Sequence, residues 1–336
     1  MAVSSAARLV AGIQLTVYGL DELSPSQPAA CLWLFHGRLS SQQAMQPVAA
    51  RCIDAWNSQN KHGQAKGKGL IAVSFDQRNH GGRTVDAEAN QDWAGGNESH
   101  AADMFGIYHG TALDTSLLID HLAVALFPHS PARIVQHLAL GVSLGGHVAW
   151  LLLLHEPRIT AAISVIGCAD YTRLMADRAR RKGRASYSQA GEDGSGFVGS
   201  SDFPPALVET VDRWDPAGVL LRPLREKKGL NGYSSLRDVE GCEGELGELL
   251  DKHLRGKTIL ILGGEEDELV PSAMSAPLIR YLKDASGETG WWRDRGVEVA
   301  EQSYAGVGHA FSEQMVERAV GFVCEQVSRG DLSISL

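Results

Sequence analysis

Residues 138–146 read Leu-Ala-Leu-Gly-Val-Ser-Leu-Gly-Gly, an apolar run that ends in a glycine-bracketed serine. Gly141, Ser143 and Gly145 have the G-x-S-x-G spacing that is typical of a sharp turn between a buried strand and a helix. Such a turn holds its serine in strained backbone angles, and its glycines leave room for the strand and helix that pack around it. The serine hydroxyl then lies clear of the sheet, beside the amide groups of a helix N-terminus. The segment therefore predicts that Ser143 is a nucleophile that attacks a carbonyl.

Short apolar runs alternate with helical patterns along the rest of the chain. The runs that predict strands cover residues 9–18, 30–35, 69–75, 134–142, 159–166, 258–262 and 297–304. Helical spacing of apolar residues covers 42–56, 113–126, 272–282 and 312–327, and an apolar helix follows Ser143. Repeated strand–helix units of this kind predict an α/β fold with a mostly parallel central sheet flanked by helices on both faces. Functional groups in such a sheet collect at the carboxyl ends of the strands.

Two segments interrupt this alternation. Residues 79–110 are polar and rich in Gly, Asn and His, and we predict a long loop there. Residues 171–256 separate two predicted core strands and are much longer than an ordinary crossover. We predict that 171–256 is a cap or lid over the active site, inserted into an α/β core formed by 1–170 and 257–336. A surface insertion without a catalytic role is the alternative.

Basic residues cluster near the start of the predicted cap. They are Arg178, Arg180, Arg181, Lys182 and Arg184. The cluster could receive an anionic substrate, but the favoured interpretation is a helix face exposed to solvent.

A serine hydroxyl is a poor nucleophile until a base accepts its proton. His309 lies in the segment Gly306-Val307-Gly308-His309, after the last predicted strand and before the last helix. Because the glycines let this loop bend back toward the sheet edge, we predict that His309 is the general base. The competing histidines are His36, His80, His100, His109 and His147. Of these, His147 lies one helical turn after Ser143 and is expected to pack rather than to catalyse.

The base in turn needs a carboxylate that fixes its tautomer and stabilises the imidazolium. Asp267 follows a predicted strand, between the double glycine 263–264 and Val270-Pro271. This spacing favours Asp267 among four consecutive acids. Glu265, Glu266 and Glu268 are expected to be solvated, and Asp170, which follows the preceding strand, is the outside alternative.

The chain order Ser143, Asp267, His309 is that of the α/β-hydrolases. The sequence resembles this superfamily along most of its length. His36-Gly37-Arg38 is similar to the oxyanion loop of the family, and residues 76–81, Asp-Gln-Arg-Asn-His-Gly, look like its D-x-R-x-x-G turn. The segments around Asp267 and His309 are similar to its acid and histidine segments.

The resemblance implies an α/β-hydrolase fold with a cap insertion, a Ser-His-Asp triad and an oxyanion hole. The two donors of that hole would be the backbone amides of Leu144 and Arg38, with Leu39 as the alternative to Arg38. Removal of such a donor typically costs a few kcal/mol of transition-state stabilisation. The chain lacks the glycine-rich continuation of the HGGG lipases and esterases after His36-Gly37, which disfavours that subgroup.

Aromatic and amide side chains in residues 79–110 are candidates for the substrate pocket. We predict substrate contacts for Trp93, His100 and Phe105, with an ordered loop as the equal alternative. The nearby pair His100 and Asp103 does not make a convincing metal site. The sequence therefore predicts no metal and no cofactor.

Composition narrows the partners and the compartment. The formal charge of −9 disfavours nucleic acid. The five cysteines have no metal-site or CxxC spacing, which indicates buried thiols in a reducing compartment. Neither a secretory leader nor an apolar run of membrane-spanning length is apparent. We expect a cytoplasmic protein with a small-molecule substrate and no membrane partner; a homodimer is compatible with the sequence, which does not determine the oligomeric state.

These residues predict a serine hydrolase of the carboxylesterase type, which forms and hydrolyses an acyl-serine intermediate. Peptidases of the prolyl-oligopeptidase kind, thioesterases, lactonases and C–C hydrolases use the same triad and stay as alternatives. A small-molecule receptor or an inactive enzyme on the same fold is the alternative from a different class.

Overall fold

One sheet organises the protein. The computed structural model describes residues 2–25, 27–61, 67–129, 133–188, 196–230, 232–293 and 295–329. Its strands are β1 (Ser5–Val10), β2 (Ile13–Tyr18), β3 (Ala29–Phe35), β4 (Gly69–Phe75), β5 (Ile134–Val142), β6 (Ile159–Val165), β7 (Thr258–Gly264) and β8 (Glu298–Tyr304). They form an eight-stranded sheet in the order β1-β2-β4-β3-β5-β6-β7-β8. The strands β3 to β8 run parallel to one another, while β1 and β2 are antiparallel to their neighbours. The predicted mostly parallel sheet is confirmed.

Helices connect and cover the strands. They are α1 (Gln46–Lys61), α2 (His100–Leu126), α3 (Leu144–His155), α4 (Tyr171–Arg181), α5 (Ala185–Ser188), α6 (Pro205–Trp214), α7 (Pro216–Leu220), α8 (Arg222–Lys228), α9 (Glu243–His253), α10 (Ala276–Ser286) and α11 (Glu313–Ser328). Short 3-10 turns precede α1 and α10, at Gln42–Met45 and Ser272–Met274. The helices predicted at 42–56 and 272–282 therefore each begin as a 3-10 turn.

Both faces of the sheet are buried. Alternate side chains of a strand point to opposite faces, and β3 shows this clearly. Trp33 and Phe35 lie in the apolar cluster that includes α2 and α3. Leu32 and Leu34 lie in the cluster that includes α1 and α11. Because every residue of β3 is buried, the strand is apolar throughout, as expected for the centre of a parallel sheet.

The N-terminal prediction of a single strand over residues 9–18 is wrong. The chain turns back at Ala11 and Gly12, whose φ angles are +47° and +79°, and β1 pairs with β2 as an antiparallel hairpin. Two successive residues with positive φ form a tight turn that matches the twist of the strands. Alanine seldom adopts such an angle, so the sequence lacked the asparagine that usually signals this turn.

The polar segment 79–110 is only partly a loop. Its last residues belong to α2, which begins at His100 rather than at the predicted residue 113. Gly106 and Gly110 made the segment look unlike a helix. Gly110 has a packing reason, since a Cβ there would lie 2.4 Å from Arg78 Nη1. The Arg78 guanidinium crosses the helix at this point to make two hydrogen bonds, of 3.0 and 2.8 Å, with the Asp114 carboxylate.

Residues 171–256, the predicted cap, contain α4 to α9, and 189–195 and 231 lie outside the described residues. The helices α7 and α9 contact α3 on the flank of the sheet. The buried Asp215 carboxylate begins α7 and accepts the Tyr171 amide at 3.2 Å, which joins α7 to α4. The division of the chain into a core and a cap stays a prediction.

Candidate active site

A strained serine stands between β5 and α3. Ser143 has φ +55° and ψ −113°, and its amide donates to the Val165 carbonyl at 2.8 Å. The glycines around it are required by contact. A Cβ on Gly141 would lie 1.8 Å from the Gly145 carbonyl oxygen, and one on Gly145 would lie 2.2 Å from the Phe35 carbonyl oxygen. The sharp turn predicted from G-x-S-x-G is therefore present, and the close packing of β3, β5 and α3 forces the serine into its position.

His309 bridges the serine and an acid. Its Nε2 lies 2.8 Å from Ser143 Oγ, and its Nδ1 lies 2.8 Å from Asp267 Oδ2. The second carboxylate oxygen of Asp267 accepts the amides of Leu269 and Val270, each at 2.9 Å. The Asp267 side chain is 1% exposed and that of His309 is 22% exposed. The carboxylate is thus held rigidly, and an Nδ1–H bond to it leaves Nε2 free to accept the serine proton.

The competing acids and histidines occupy other places. Asp170 begins α4, where its carboxylate accepts the Arg173 amide at 2.9 Å. Glu265, Glu266 and Glu268 are exposed, as expected of solvated side chains. His147 is buried and stacks on Tyr108, with ring centroids 5.0 Å apart, and burial lowers its pKa to about 3. It packs, as the sequence predicts, and its lowered pKa keeps the ring neutral at pH 7.

The loop after β3 lies against the serine. A Cβ on Gly37 would be 3.6 Å from Ser143 Cβ. The buried ring of His36 accepts the Gln77 amide at Nε2 (3.1 Å) and donates from Nδ1 to the Gly37 carbonyl (2.8 Å). Burial lowers the pKa of His36 to about 4, so the ring is neutral at pH 7 and has the single proton that these two bonds need. A trans peptide directs its C=O and N–H to opposite sides, so the Arg38 amide faces away from the His36 ring.

The second predicted donor is at the start of α3. The Leu144 amide belongs to the first helical turn, which has no intrahelical acceptors. Sequence reasoning named Leu144 and Arg38 but missed Gln77, whose side-chain amide also donates to the His36 carbonyl. Only the fold brings the turn after β4 next to the loop after β3, which is why no local pattern pointed to this contact.

Comparison with known proteins gives a match to structures only. Neither a protein-family model nor a curated protein matches the sequence. The chain is similar to the crystal structure of TT1662 from Thermus thermophilus, with 18% identity and a TM-score of 0.60, over 98% of this chain and 100% of that one. It is also similar to an S-formylglutathione hydrolase from Agrobacterium tumefaciens, with 13% identity and a TM-score of 0.51, over 97% of this chain and 94% of that one. A third similar structure is the acylaminoacyl peptidase of Pyrococcus horikoshii (12% identity, TM-score 0.51), of which this chain spans 43% while all of this chain is covered. The chain has the α/β-hydrolase fold.

The three residues that the sequence predicts to contact substrate, Trp93, His100 and Phe105, are all buried. Trp93 and His100 contact each other edge to face, with ring centroids 5.1 Å apart, and the ring of His100 lies 3.3 Å from the Arg178 guanidinium. Phe105 packs instead among Tyr108 and Tyr171 in the aromatic core behind α2. Their contact with substrate stays a prediction.

The basic cluster divides into three groups, namely exposed residues, the half-buried Arg184 and the buried Arg178. Arg184 pairs with Glu98 at 2.5 Å and with Asp202 at 2.7 Å. Arg180, Arg181 and Lys182 are exposed, as the favoured interpretation expects. For Arg178 that interpretation is wrong, because its side chain turns inward from α4 and the residue is only 8% exposed. Spacing along the helix could not reveal this, since the residues that cover Arg178 come from α2 and from the loop after β7.

The described part of the fold has neither a membrane-spanning helix nor a cluster of metal ligands. No helix there is long and apolar enough to cross a membrane. No group of three or more His, Cys, Asp or Glu side chains within those same residues could hold a metal ion. The five cysteines are free and buried, as predicted for this chain.

Proposed function

We propose that this protein is a serine hydrolase that cleaves an ester-like bond of a small molecule by acyl transfer. The observation that carries the proposal is the unbroken chain of two 2.8 Å contacts from Asp267 through His309 to Ser143. The α/β-hydrolase fold supports it, because the serine lies at the carboxyl end of a central strand, where this class of sheet places its reactive groups.

The first half of the reaction forms an acyl-enzyme. Ser143 Oγ attacks the carbonyl carbon while His309 Nε2 takes the hydroxyl proton. The carbonyl π electrons move to oxygen, and the amides of Leu144 and Arg38 stabilise that oxyanion. Asp267 stabilises the imidazolium. When the tetrahedral intermediate collapses, the bond to the leaving group breaks and His309 returns the proton to that group.

Water completes the cycle. His309 accepts a proton from water, whose oxygen attacks the acyl carbon, and the same two amides stabilise the second oxyanion. The bond to Ser143 Oγ then breaks, and the serine recovers its proton from His309. The products are a carboxylic acid and the alcohol of the leaving group. The partial exposure of His309 leaves a path for this water.

Two measurements test the proposal. Wild-type protein should hydrolyse p-nitrophenyl acetate and react with a fluorophosphonate probe, and Ser143→Ala should lose the labelling and most of the hydrolysis, because activity without the nucleophile falls by about a million-fold in related triads. Ser58→Ala is the matched control, since Ser58 is exposed on α1 and its hydroxyl donates to the Asp54 carbonyl of the same helix. Full activity of Ser143→Ala would exclude the proposed mechanism.

A further inference from the structure

Arg178 is a buried cation whose partners among the described residues are all neutral. Its Nη1 lies 3.3 Å from His100 Nε2 and 3.2 Å from Met104 Sδ, and its Nη2 donates to the Leu269 carbonyl at 3.3 Å. Its Nε has no hydrogen-bond partner among the described residues. Within the same residues, no carboxylate forms an ion pair with it. Burial lowers the pKa of Arg178 to about 10, so the guanidinium is still charged at pH 7.

A second guanidinium adds to this charge. The Arg38 side chain donates to the Asn90 carbonyl at 2.8 Å, again a neutral acceptor. Burial and the positive charges of Arg178 and Arg38 together lower the pKa of His100 to about 3, so His100 contributes no charge of its own.

The nearby acid does not balance the two arginines. Burial lowers the pKa of both Arg38 and His100, and the negative charge of Asp92 opposes this shift only in part. Its carboxylate accepts the Gly95 amide at 2.9 Å and pairs with Lys182 at 3.7 Å. Asp92 is thus shared between the Arg38 guanidinium and the Lys182 ammonium group. Since no ion pair joins Asp92 to Arg178, positive charge stays in excess among the described residues.

The exposed arginines of α4, Arg180 and Arg181, differ from Arg178 because they have a carboxylate partner. Arg180 and Arg181 pair with Asp177 at 2.8 and 2.7 Å. Both line an open groove of about 840 Å³ that also contains Glu265, Glu266, Asp267 and Glu268. Their charges are therefore balanced and solvated, whereas the charge of Arg178 is neither.

Both unbalanced arginines are close to the proposed reaction centre. Arg178 holds the carbonyl of Leu269, whose amide is bonded to Asp267. Arg38 carries the backbone amide that we assign to the oxyanion hole. Burying a charge without an opposite charge is expensive, and a guanidinium matches the geometry of a carboxylate or a phosphate.

We propose that Arg178 and Arg38 bind an anionic group of the substrate, a carboxylate or a phosphate, so that this enzyme cleaves esters that carry a negative charge. The inference rests on the serine hydrolase function proposed above. It narrows the substrate class from small esters in general to anionic ones.

Matched esters test the charge preference. In the first pair, the p-nitrophenyl monoester of glutarate carries a carboxylate on its acyl group, whereas p-nitrophenyl valerate is neutral. In the second pair, para-acetoxybenzoate carries a carboxylate on its leaving group, whereas para-acetoxybenzamide is neutral. Wild-type kcat/KM should be higher for the charged member of one pair. Arg178→Gln should lower that value about ten- to a hundredfold, as expected for loss of a charge-assisted bond, and should lower the ratio of charged-ester to neutral-ester kcat/KM with it. Arg180→Gln, the control on the exposed side of α4, should change neither.

A second variant and two inhibitors complete the test. Arg38→Gln should act in the same direction as Arg178→Gln, which keeps the experiment decisive when one of the variants does not fold. Competitive inhibition of valerate hydrolysis by glutarate, but not by inorganic phosphate, would identify a carboxylate, and the reverse would identify a phosphate. Equal kcat/KM for both members of both pairs, in an enzyme that requires Ser143, overturns this inference and leaves the serine hydrolase intact. Activity that does not require Ser143 refutes the hydrolase proposal itself.

Discussion

The edge of the sheet that carries Ser143 and the helical side that carries Arg178 are built differently. Ser143, Asp267 and His309 each follow a parallel strand within a few residues, in short loops whose glycines allow close packing. Arg178 and His100 instead project from α4 and α2, which come from the two segments that interrupt the strand–helix alternation. Residues at strand ends are placed by the sheet, and residues on inserted helices are placed by how those helices dock. The chemistry is therefore evident from short motifs, while the substrate side is not.

The largest expected effect is on the strand-end side. Asp267→Asn should keep the fold, because an amide can still fill the site, but it loses the charge that stabilises the His309 imidazolium. We expect kcat on p-nitrophenyl acetate to fall by about a thousand- to ten-thousandfold. Steady-state kinetics measure this, with Glu268→Gln as the exposed control from the same acidic run. A comparable loss of kcat in both variants would mean that Asp267 is not the acid that stabilises the His309 imidazolium.

A glycine substitution tests whether packing, rather than loop flexibility, creates the elbow. Gly141→Ala places a Cβ 1.8 Å from the Gly145 carbonyl oxygen, and the free energy of unfolding should fall by about 3 kcal/mol or more. Gly321→Ala, within α11, meets no atom within 4 Å and should be neutral or stabilising by up to about 1 kcal/mol. Urea denaturation compares the two. Similar stability of both variants would contradict a close-packed turn.

The pH dependence of stability tests the buried environment of His100 on α2. The folded-state pKa of His100 is about 3, below the ordinary value of 6.5, so the folded protein binds fewer protons than the unfolded chain in that interval. Its contribution to stability is present above pH 6.5 and is lost as the pH falls toward 3, by about 1.4 kcal/mol for each pH unit. His100→Asn keeps a donor toward the Gln91 carbonyl, which His100 contacts through Nδ1 at 3.0 Å. Urea denaturation measures the free energy of unfolding at pH 7 and at pH 5. The decrease between the two should be smaller for this variant than for wild type, and an equal decrease would refute the lowered pKa of His100.

The smallest expected effect is that of a substitution at Gln77, which supports the loop after β3. Gln77→Met removes the amide that donates to the His36 carbonyl, so the loop that carries the Arg38 amide is less firmly held. We expect kcat to fall about tenfold with little change in KM, which is less than the loss of a donor itself. Gln43→Met, an exposed substitution in the turn before α1, should be silent. A rise in KM alone would point instead to a defect in substrate binding.

Particular residues show where sequence reasoning succeeded. The strands 69–75 and 134–142 were predicted with the bounds that the structure gives, because most residues of a buried parallel strand are apolar. The structure brings Ser143, Asp267 and His309 together, as their order along the chain predicts. The hairpin at Ala11 and the start of α2 at His100 were missed, because an alanine with positive φ and glycines inside a helix have no distinctive local pattern.

By itself, the sequence determined the alternation that makes a parallel sheet, the glycine-bracketed turn at Ser143, and which acid and histidine follow it. These are local properties, since the burial of a strand and the space around a glycine depend on neighbouring residue types. Only the tertiary structure decided that Gln77 supports the loop after β3 and that Arg178 turns inward, where no carboxylate of the described residues pairs with it. Such facts depend on which distant segments share a position in space, and the burial of a charge is a property of that three-dimensional neighbourhood.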